Sequence, residues 1–498
     1  TKNEMDLDEL PNGIVSWDEK PIASLVEIPE DFEANPQVVK EPRMKNNKQA
    51  AMTVLEHSPN MVHCRDDFYV FNDSNGMWEC DNKFVLFKKI LMNLEDKLVV
   101  YSSNESETGK PSNQSYGNTA SLMNQVCSIM PSLTVDNHWY TRVNESGKMK
   151  LLFKDGIYDF KKGEWEEGFD PEISFFDSIP FNFPKRDEEV IKEVNKAFFE
   201  TPFQNERLST GVYFKRRLAK AIAGEYVKNI YFCLGQSNSG KSQCANMCKN
   251  AFGTYVDSFN AENYSSKVKD DEATGYRWAM LLRNKRLLFS QEVKMGTKLD
   301  GAPIKKTTGG DPLVGRGHNK DESEFWPHFT QFVVGNDMPN ITPLDEAIKD
   351  RVRCINFEKK FKEISEGEEL EENELEIDLD FCTKIKSQAW KDAFVHVILD
   401  AYKDMKQNGD ETPGDVSDAF NDWSKGYSLD ERFDDDYDIT QNETDTVTNK
   451  EFDSWRTENK IGKMSGKLWA QFMKKRGCEP TKSCGRGWSG VRQRVQSD

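Results

Sequence analysis

Five short apolar runs set the organisation of this chain. Ile230 to Leu234, Tyr255 to Phe259, Arg286 to Ser290, Phe329 to Val334 and Val352 to Phe357 are strand-like, and helical spans separate them. Strand-like runs that alternate with helical spans belong to a sheet covered on both faces. The pattern therefore predicts a mostly parallel sheet with helices packed on either side. Upstream the texture changes. Phe68 to Phe71, the turn Asp73 to Gly76 and Met77 to Glu79 predict a hairpin, followed by a helix over Phe84 to Leu98. Leu151 to Phe153 and Gly156 to Phe160 read as strands, and Glu188 to Phe199 and Tyr213 to Gly224 as helices leading into the sheet. The segment 1–47 carries Pro11, Pro21, Pro29, Pro36 and Pro42 without periodicity and reads as an acidic linker. The expected order is that linker, a mixed α/β and helical domain over 48–205, the α/β core over 206–362, an acidic connector with helices over 363–444, and a small basic tail over 445–498.

The first run breaks into Gly235, Gln236, Ser237, Asn238, Ser239, Gly240, Lys241 and Ser242, which fits G-x-x-x-x-G-K-[ST] with a strand before it and a helix after it. In such a loop the glycines let backbone N–H groups turn inward around a polyphosphate. Lys241 supplies a charge to the outer phosphates, and the Ser242 hydroxyl can take a place on Mg²⁺. The helix that follows aims its positive end at the same anion. Cys244 and Cys248, four apart on that helix, read as core packing rather than a metal pair. Two polar residues end neighbouring strands. Glu292, after Leu287 to Gln291, can face the crevice at the carboxyl ends of the strands, where it either holds Mg²⁺ through water or polarises an attacking water. Asn336, after Phe332 to Gly335, is either a second group at that crevice or a turn residue. Arg351 or Arg353, introducing the last strand, is a charge stabiliser or a surface arginine.

Composition narrows the class. No run approaches the length of about 18 apolar residues that crosses a bilayer, and Thr1 opens an acidic stretch rather than a signal sequence, so no membrane association is expected and the chain reads as a processed or truncated piece. The ten cysteines form no C-x-x-C pair, which points to reduced thiols in a cytosol-like compartment. A net charge of −18 argues against nucleic acid only if it is spread evenly, and it is not. Lys285 to Lys320 holds eight basic residues against three acids, and Lys460 to Asp498 holds ten against two. Ten carboxylates lie between Glu363 and Asp380, and a second acidic cluster spans Asp430 to Asp438; both read as solvated connectors.

With the phosphate loop, Glu292, Asn336 and Arg351 in this order, the chain resembles a superfamily 3 helicase of the AAA+ class. More closely, it resembles the helicase part of the phage, plasmid and large DNA virus primase-helicases, the poxvirus type included. The carrying text is Lys285 to Glu292, Lys305 to Asp311, Phe332 to Asn336 and Asp345 to Phe357, with 51 residues from Lys241 to Glu292 and 44 more to Asn336. Weaker likeness extends to Leu152 through Glu164 on one side and to Phe472 through Val491, a winged-helix-like tail, on the other.

The resemblance implies an AAA+ phosphate-loop core and an ATP hydrolase. Lys241 and Ser242 would bind ATP phosphates and Mg²⁺, Glu292 would be the acid of the site, Asn336 the sensor of the γ-phosphate, and Arg351 the finger that completes a neighbour's site in a ring, most simply a hexamer. It also implies that Asp311 to Phe329 forms a hairpin into the ring's channel, where Arg316, His318 and Lys320, with Lys305 and Lys306 nearby, would grip single-stranded DNA at a replication fork in the host cytoplasm or a viral replication site. One departure is Gln291, where relatives often carry a second acid. No aspartate pair in polymerase-like strand context appears, so a primase or polymerase would be an upstream domain or a separate partner. An initiator or loader that remodels DNA with slow ATP turnover is the alternative on the same residues.

Overall fold

The computed structural model describes residues 44–100, 114–140, 145–203, 208–265, 272–290, 293, 297–316, 322–364, 369–425, 429–440, 442–459, 466–482 and 486–494. The hairpin expected near the start is present: Asp67–Asn72 pairs antiparallel with Met77–Cys80, with Gly76 at φ 71° in the turn and Met61–Cys64 completing a three-stranded sheet. The helix after it runs Val85–Asn93 and tightens into a 3-10 turn over Glu95–Leu98. A second small sheet combines Lys150–Leu152, Gly156–Asp159 and Glu164–Glu167. Helix Glu188–Asn195 follows, its first turn capped by Asp187, whose carboxylate accepts from the N–H groups of Glu189 and Val190.

The core comprises helix α1 (Leu208–Ala223), strand β1 (Ile230–Leu234), helix α2 (Lys241–Phe252), strands β2 (Val256–Phe259), β3 (Leu287–Ser290), β4 (Thr330–Gly335) and β5 (Val352–Asn356), and helix α3 (Gln388–Asn408). The five strands are all parallel in the order β5-β1-β4-β3-β2. Successive side chains of one strand enter different cores, as the period of two requires. Tyr231, Cys233, Phe289, Phe332 and Ile355 face α1, α2 and α3, whereas Ile230, Phe232, Leu288, Val333 and Cys354 face the layer holding Ile304, Ile348 and Phe420. The strands are therefore apolar on both sides. Tyr231 and Phe332 stack at 4.7 Å between adjacent strands, and both are fully buried; each such ring is worth about 1.5–3 kcal/mol of burial. Cys244 and Cys248 are part of this packing, at 2% and 0% exposure.

The expected hairpin is formed by Leu313–Arg316 and Glu322–Phe325 in antiparallel register. The acidic segment departs from expectation. Glu374–Glu376 is a strand paired in parallel with Lys360–Lys362, and Lys360 and Lys362 reach the Glu374 carboxylate at 3.0 and 3.6 Å, so part of this run is folded by its basic neighbours rather than solvated. The cluster Asp430 to Asp438 departs likewise. Helix Leu429–Asp436 and strand Tyr437–Ile439 bury Phe433 and Tyr437, four residues apart, as the centre of a C-terminal core with Phe452, Trp455 and Trp488. Around that core lie helices Asn449–Glu458 and Gly466–Lys475 and a sheet of Thr446–Thr448, Gly487–Ser489 and Glu479–Thr481. Among the described residues no helix is long and apolar enough to cross a membrane.

Candidate active site

Strand order locates the site before any side chain is considered. The chain leaves β1 for the far edge strand β2, and leaves β4 for the opposite edge strand β5, so connections from these two neighbours depart in opposite directions. The carboxyl ends of β1 and β4 thus flank the switch-point crevice of the sheet. The loop Gly235 to Ser242 fills one side of it, and Asn336, exposed, ends β4 on the other.

The loop's geometry depends on its glycines. Gly235 has φ 153°, and a Cβ there would lie 2.2 Å from the Phe357 carbonyl oxygen. Gly240 has φ 91° and caps α2 without a side-chain bond, so the first N–H groups of the helix stay open toward the crevice. Asn238 adopts the left-handed region as well, at φ 62°, and its carbonyl accepts from the Phe361 N–H at 2.8 Å. Lys241 is folded inward, 8% exposed, with Nζ donating to Gly235 O at 2.6 Å, Gln236 O at 2.8 Å and Ser239 Oγ at 2.8 Å. These bonds hold a positive charge inside the loop. A cavity of about 480 Å³ opens there, lined by Ser237 to Gln243, Asn246, Ser290 and Asn336 among others. The Ser290 Oγ accepts from the Val334 N–H at 2.9 Å, which ties β3 to β4 and leaves its own O–H able to donate. Backbone donors, an uncapped helix start and a lysine around a polar cavity fit a polyphosphate, and the exposed Ser242 hydroxyl at its edge fits a divalent cation beside it.

Other expected site residues lie elsewhere. Glu292, His318 and Lys320 are outside the described residues. Arg316 stands on the hairpin, ion-paired with Glu322 across it. Lys305 and Lys306 sit in the last turn of helix Gly301–Thr307. Lys305 is 2.7 Å from Asp345, and Lys306 lies 5.9 Å from the Tyr276 ring centroid. Arg351 is remote from its own phosphate loop. Val352 pairs with Ile230, so Arg351 is six residues of strand rise, roughly 20 Å, from the level of Gly235. Its Nε donates to Thr308 Oγ1 at 3.2 Å and its Nη1 to Ala347 O at 2.7 Å. Arg353 donates to the Val352 and Lys349 carbonyls.

The sequence reading missed a second concavity behind the loop. About 440 Å³ in volume, it is bounded by Phe198, Phe361, Leu379, Phe381 and Trp390, and shares Asn238, Gly240 and Gln243 with the polar cavity. The available signal was Gln243 itself, adjacent to Ser242 on the helix that carries the phosphate loop.

No established family profile matches the chain. Against curated proteins it is 38% identical over 350 residues to the "Putative helicase V13" of Sputnik virophage, covering 70% of this chain and 44% of that protein. It is 25% identical over 329 residues to the "Putative helicase 184R" of Invertebrate iridescent virus 6, covering 61% and 34%. The "Uncoating factor OPG117" of Monkeypox virus is 21% identical over 374 residues, 71% of this chain and 44% of that one. The chain thus spans less than half the length of these curated relatives. Among solved structures it is similar to the apo C-terminal region of NrS-1, at 12% identity and a TM-score of 0.40 over 90% of this chain and 100% of that one. The chain is thus a relative of viral proteins named "Putative helicase", and the order of its motifs is consistent with a helicase of the superfamily 3 type.

Proposed function

We propose that this chain is the ATP-driven motor of a viral replicative helicase, an AAA+ ring that moves along one DNA strand in the 3′ to 5′ direction. The observation that carries the reading is the inward-folded Lys241 within a glycine-shaped loop at the switch-point crevice, with Asn336 facing it from β4. Lys241 and the loop N–H groups would hold the ATP phosphates, Ser242 and Glu292 would serve Mg²⁺ or the attacking water, and Asn336 would orient that water. The bound cation would neutralise charge developing on the phosphates. Arg351, too far from its own loop, would act on the site of the next subunit, which makes a ring, most simply a hexamer, the active unit.

The hairpin carrying Arg316, His318 and Lys320, with Lys305 and Lys306 beside its base, would contact single-strand phosphates. The C-terminal core with its basic helix Gly466–Lys475 would be a winged-helix-like module at the duplex end of the fork. A primase or polymerase activity would come from upstream sequence or a partner. The test is unwinding of a forked duplex by the purified protein with ATP and Mg²⁺. Strand separation that disappears in Lys241→Ala is expected, and unwinding or ATP turnover that persists in that variant would remove the reading.

A further inference from the structure

Resting on the reading of Arg351 as the group that completes a neighbour's site, we propose that Thr308 is its positioning residue, and that the end of helix Gly301–Thr307 is the mount that holds the arginine in place. Two consecutive threonines finish this helix, and their hydroxyls have different partners. Thr307 Oγ1 lies 2.9 Å from the Tyr264 hydroxyl, which also accepts from the Gln331 amide of β4, so this threonine fastens the helix to the sheet. Thr308, 5% exposed, meets Arg351 instead. Its hydroxyl donates to the Ile304 carbonyl at 2.7 Å, which commits its only proton and leaves the oxygen to accept from Arg351 Nε at 3.2 Å.

The guanidinium has a second tether, Nη1 donating to Ala347 O at 2.7 Å. The two acceptors stand on separate elements that are themselves joined. Lys305 of helix Gly301–Thr307 is 2.7 Å from one oxygen of the Asp345 carboxylate, and the other oxygen accepts from the Ile348 N–H at 3.0 Å and caps helix Glu346–Lys349. The Thr308 backbone is fixed as well, its carbonyl accepting from the Tyr226 hydroxyl at 2.8 Å. Gly310 turns against that ring at φ 83°, where a Cβ would lie 3.0 Å from it. Arg351, Thr308, Lys305, Asp345 and Ala347 thus form a closed circuit of contacts. An arginine loses the freedom of several rotatable bonds when it is aimed, and here that loss is met in the folded chain before a neighbour's phosphates arrive. Nη2 is the donor left over, without a partner among the described residues.

The test compares the steady-state ATPase of the full chain with that of Thr308→Val, Thr308→Ser and Arg351→Ala, with ADP binding measured on each. Valine keeps the shape of Thr308 and removes the acceptor, so kcat should fall by about 10- to 100-fold, the worth of a hydrogen bond to a charged group. ADP affinity should not change, because Thr308 touches no part of its own phosphate loop. Serine restores the acceptor and should turn over near wild type. Adding Thr308→Val to Arg351→Ala should slow turnover no further. The defect lies in what the chain presents to its neighbour, so mixing Thr308→Val with Lys241→Ala should raise ATPase above the sum of the two alone, which a general loss of structure would not allow. Should Thr308→Val fail to fold, Thr308→Ala carries the same expectations. Wild-type kcat in Thr308→Val beside a slow Arg351→Ala, or no gain in verified mixtures, would overturn the positioning role and leave the role of Arg351 standing. Wild-type kcat in Arg351→Ala would overturn both.

Discussion

At the carboxyl ends of its strands the sheet presents an open polar cavity, loop backbone and the Ser242 and Asn336 side chains. At the amino ends it presents Arg351, bonded to Thr308, and a separate concavity of about 340 Å³ lined by Tyr226, Thr307 and the partly buried His328 among others. Both ends carry cationic groups, but the cations are used differently. Lys241 bends back into its own loop, whereas Arg351 commits Nε and Nη1 to its own chain and, among the described residues, leaves Nη2 without a partner. On the proposed function, the two cations would be parts of one phosphoryl-transfer site that a single chain keeps apart. A strand of five residues separates them, and no side-chain rearrangement spans that distance.

The largest effect that sharpens this contrast is expected from Arg351→Ala. An arginine acting on a neighbour's γ-phosphate is worth about 10³ to 10⁵ in rate, or roughly 4–7 kcal/mol of barrier. ATPase should fall by that factor while nucleotide affinity and thermal stability stay near wild type. Full turnover in the variant would return Arg351 to the status of a structural residue.

At the opposite end, Gly235→Ala should cost about 1–3 kcal/mol of folding stability and distort the loop, because the added Cβ meets the Phe357 carbonyl at 2.2 Å and φ is 153°. The denaturation midpoint measures it. An unchanged midpoint with normal nucleotide binding would mean that the loop's shape does not depend on this glycine.

His328 gives a pH signature to the amino end alone. Burial, reinforced by Lys148, pushes its pKa down to about 4 from 6.5. The unfolded chain therefore binds the extra proton first, so stability is fully present above pH 6.5 and is lost as pH falls toward 4. The amount is about 1–3 kcal/mol. His328→Gln should flatten that slope in denaturation curves taken between pH 4 and 7, and an unaltered slope would assign it to other groups.

The smallest effect concerns the hairpin. Arg316→Ala should reduce the salt dependence of single-strand binding by about 0.7 in the log–log slope, the value of one phosphate contact. Should the slope not change, the ion pair with Glu322 accounts for Arg316 by itself.

The strands of the core were legible because strands covered on both faces are rich in apolar residues without strict alternation, most clearly in β1, whose bounds agree with the expected Ile230 to Leu234. The phosphate loop was legible because its glycines have no substitute. What escaped notice had the opposite character. Strand Glu164–Glu167 has one apolar residue among its four, and Glu374–Glu376 lies in an acidic run, so neither stands out by hydropathy; both are set by their pairing partners. The aromatic concavity draws Phe198, Phe361, Phe381 and Trp390 from segments far apart in sequence, which no local pattern can join. The separation of Arg351 from Lys241 was implied only by the resemblance, because the 109 positions between them say nothing about which end of the sheet each occupies until strand register is known.

If the two ends of the sheet meet only between copies of the chain, mixing two inactive variants will reveal it. Lys241→Ala retains Arg351, and Arg351→Ala retains Lys241, so co-assembled oligomers should contain interfaces that pair the intact half of each. ATPase in the mixture should exceed the sum of the two separate preparations and rise with the fraction of mixed assemblies. Mixed assemblies verified by mass that show no gain would contradict it.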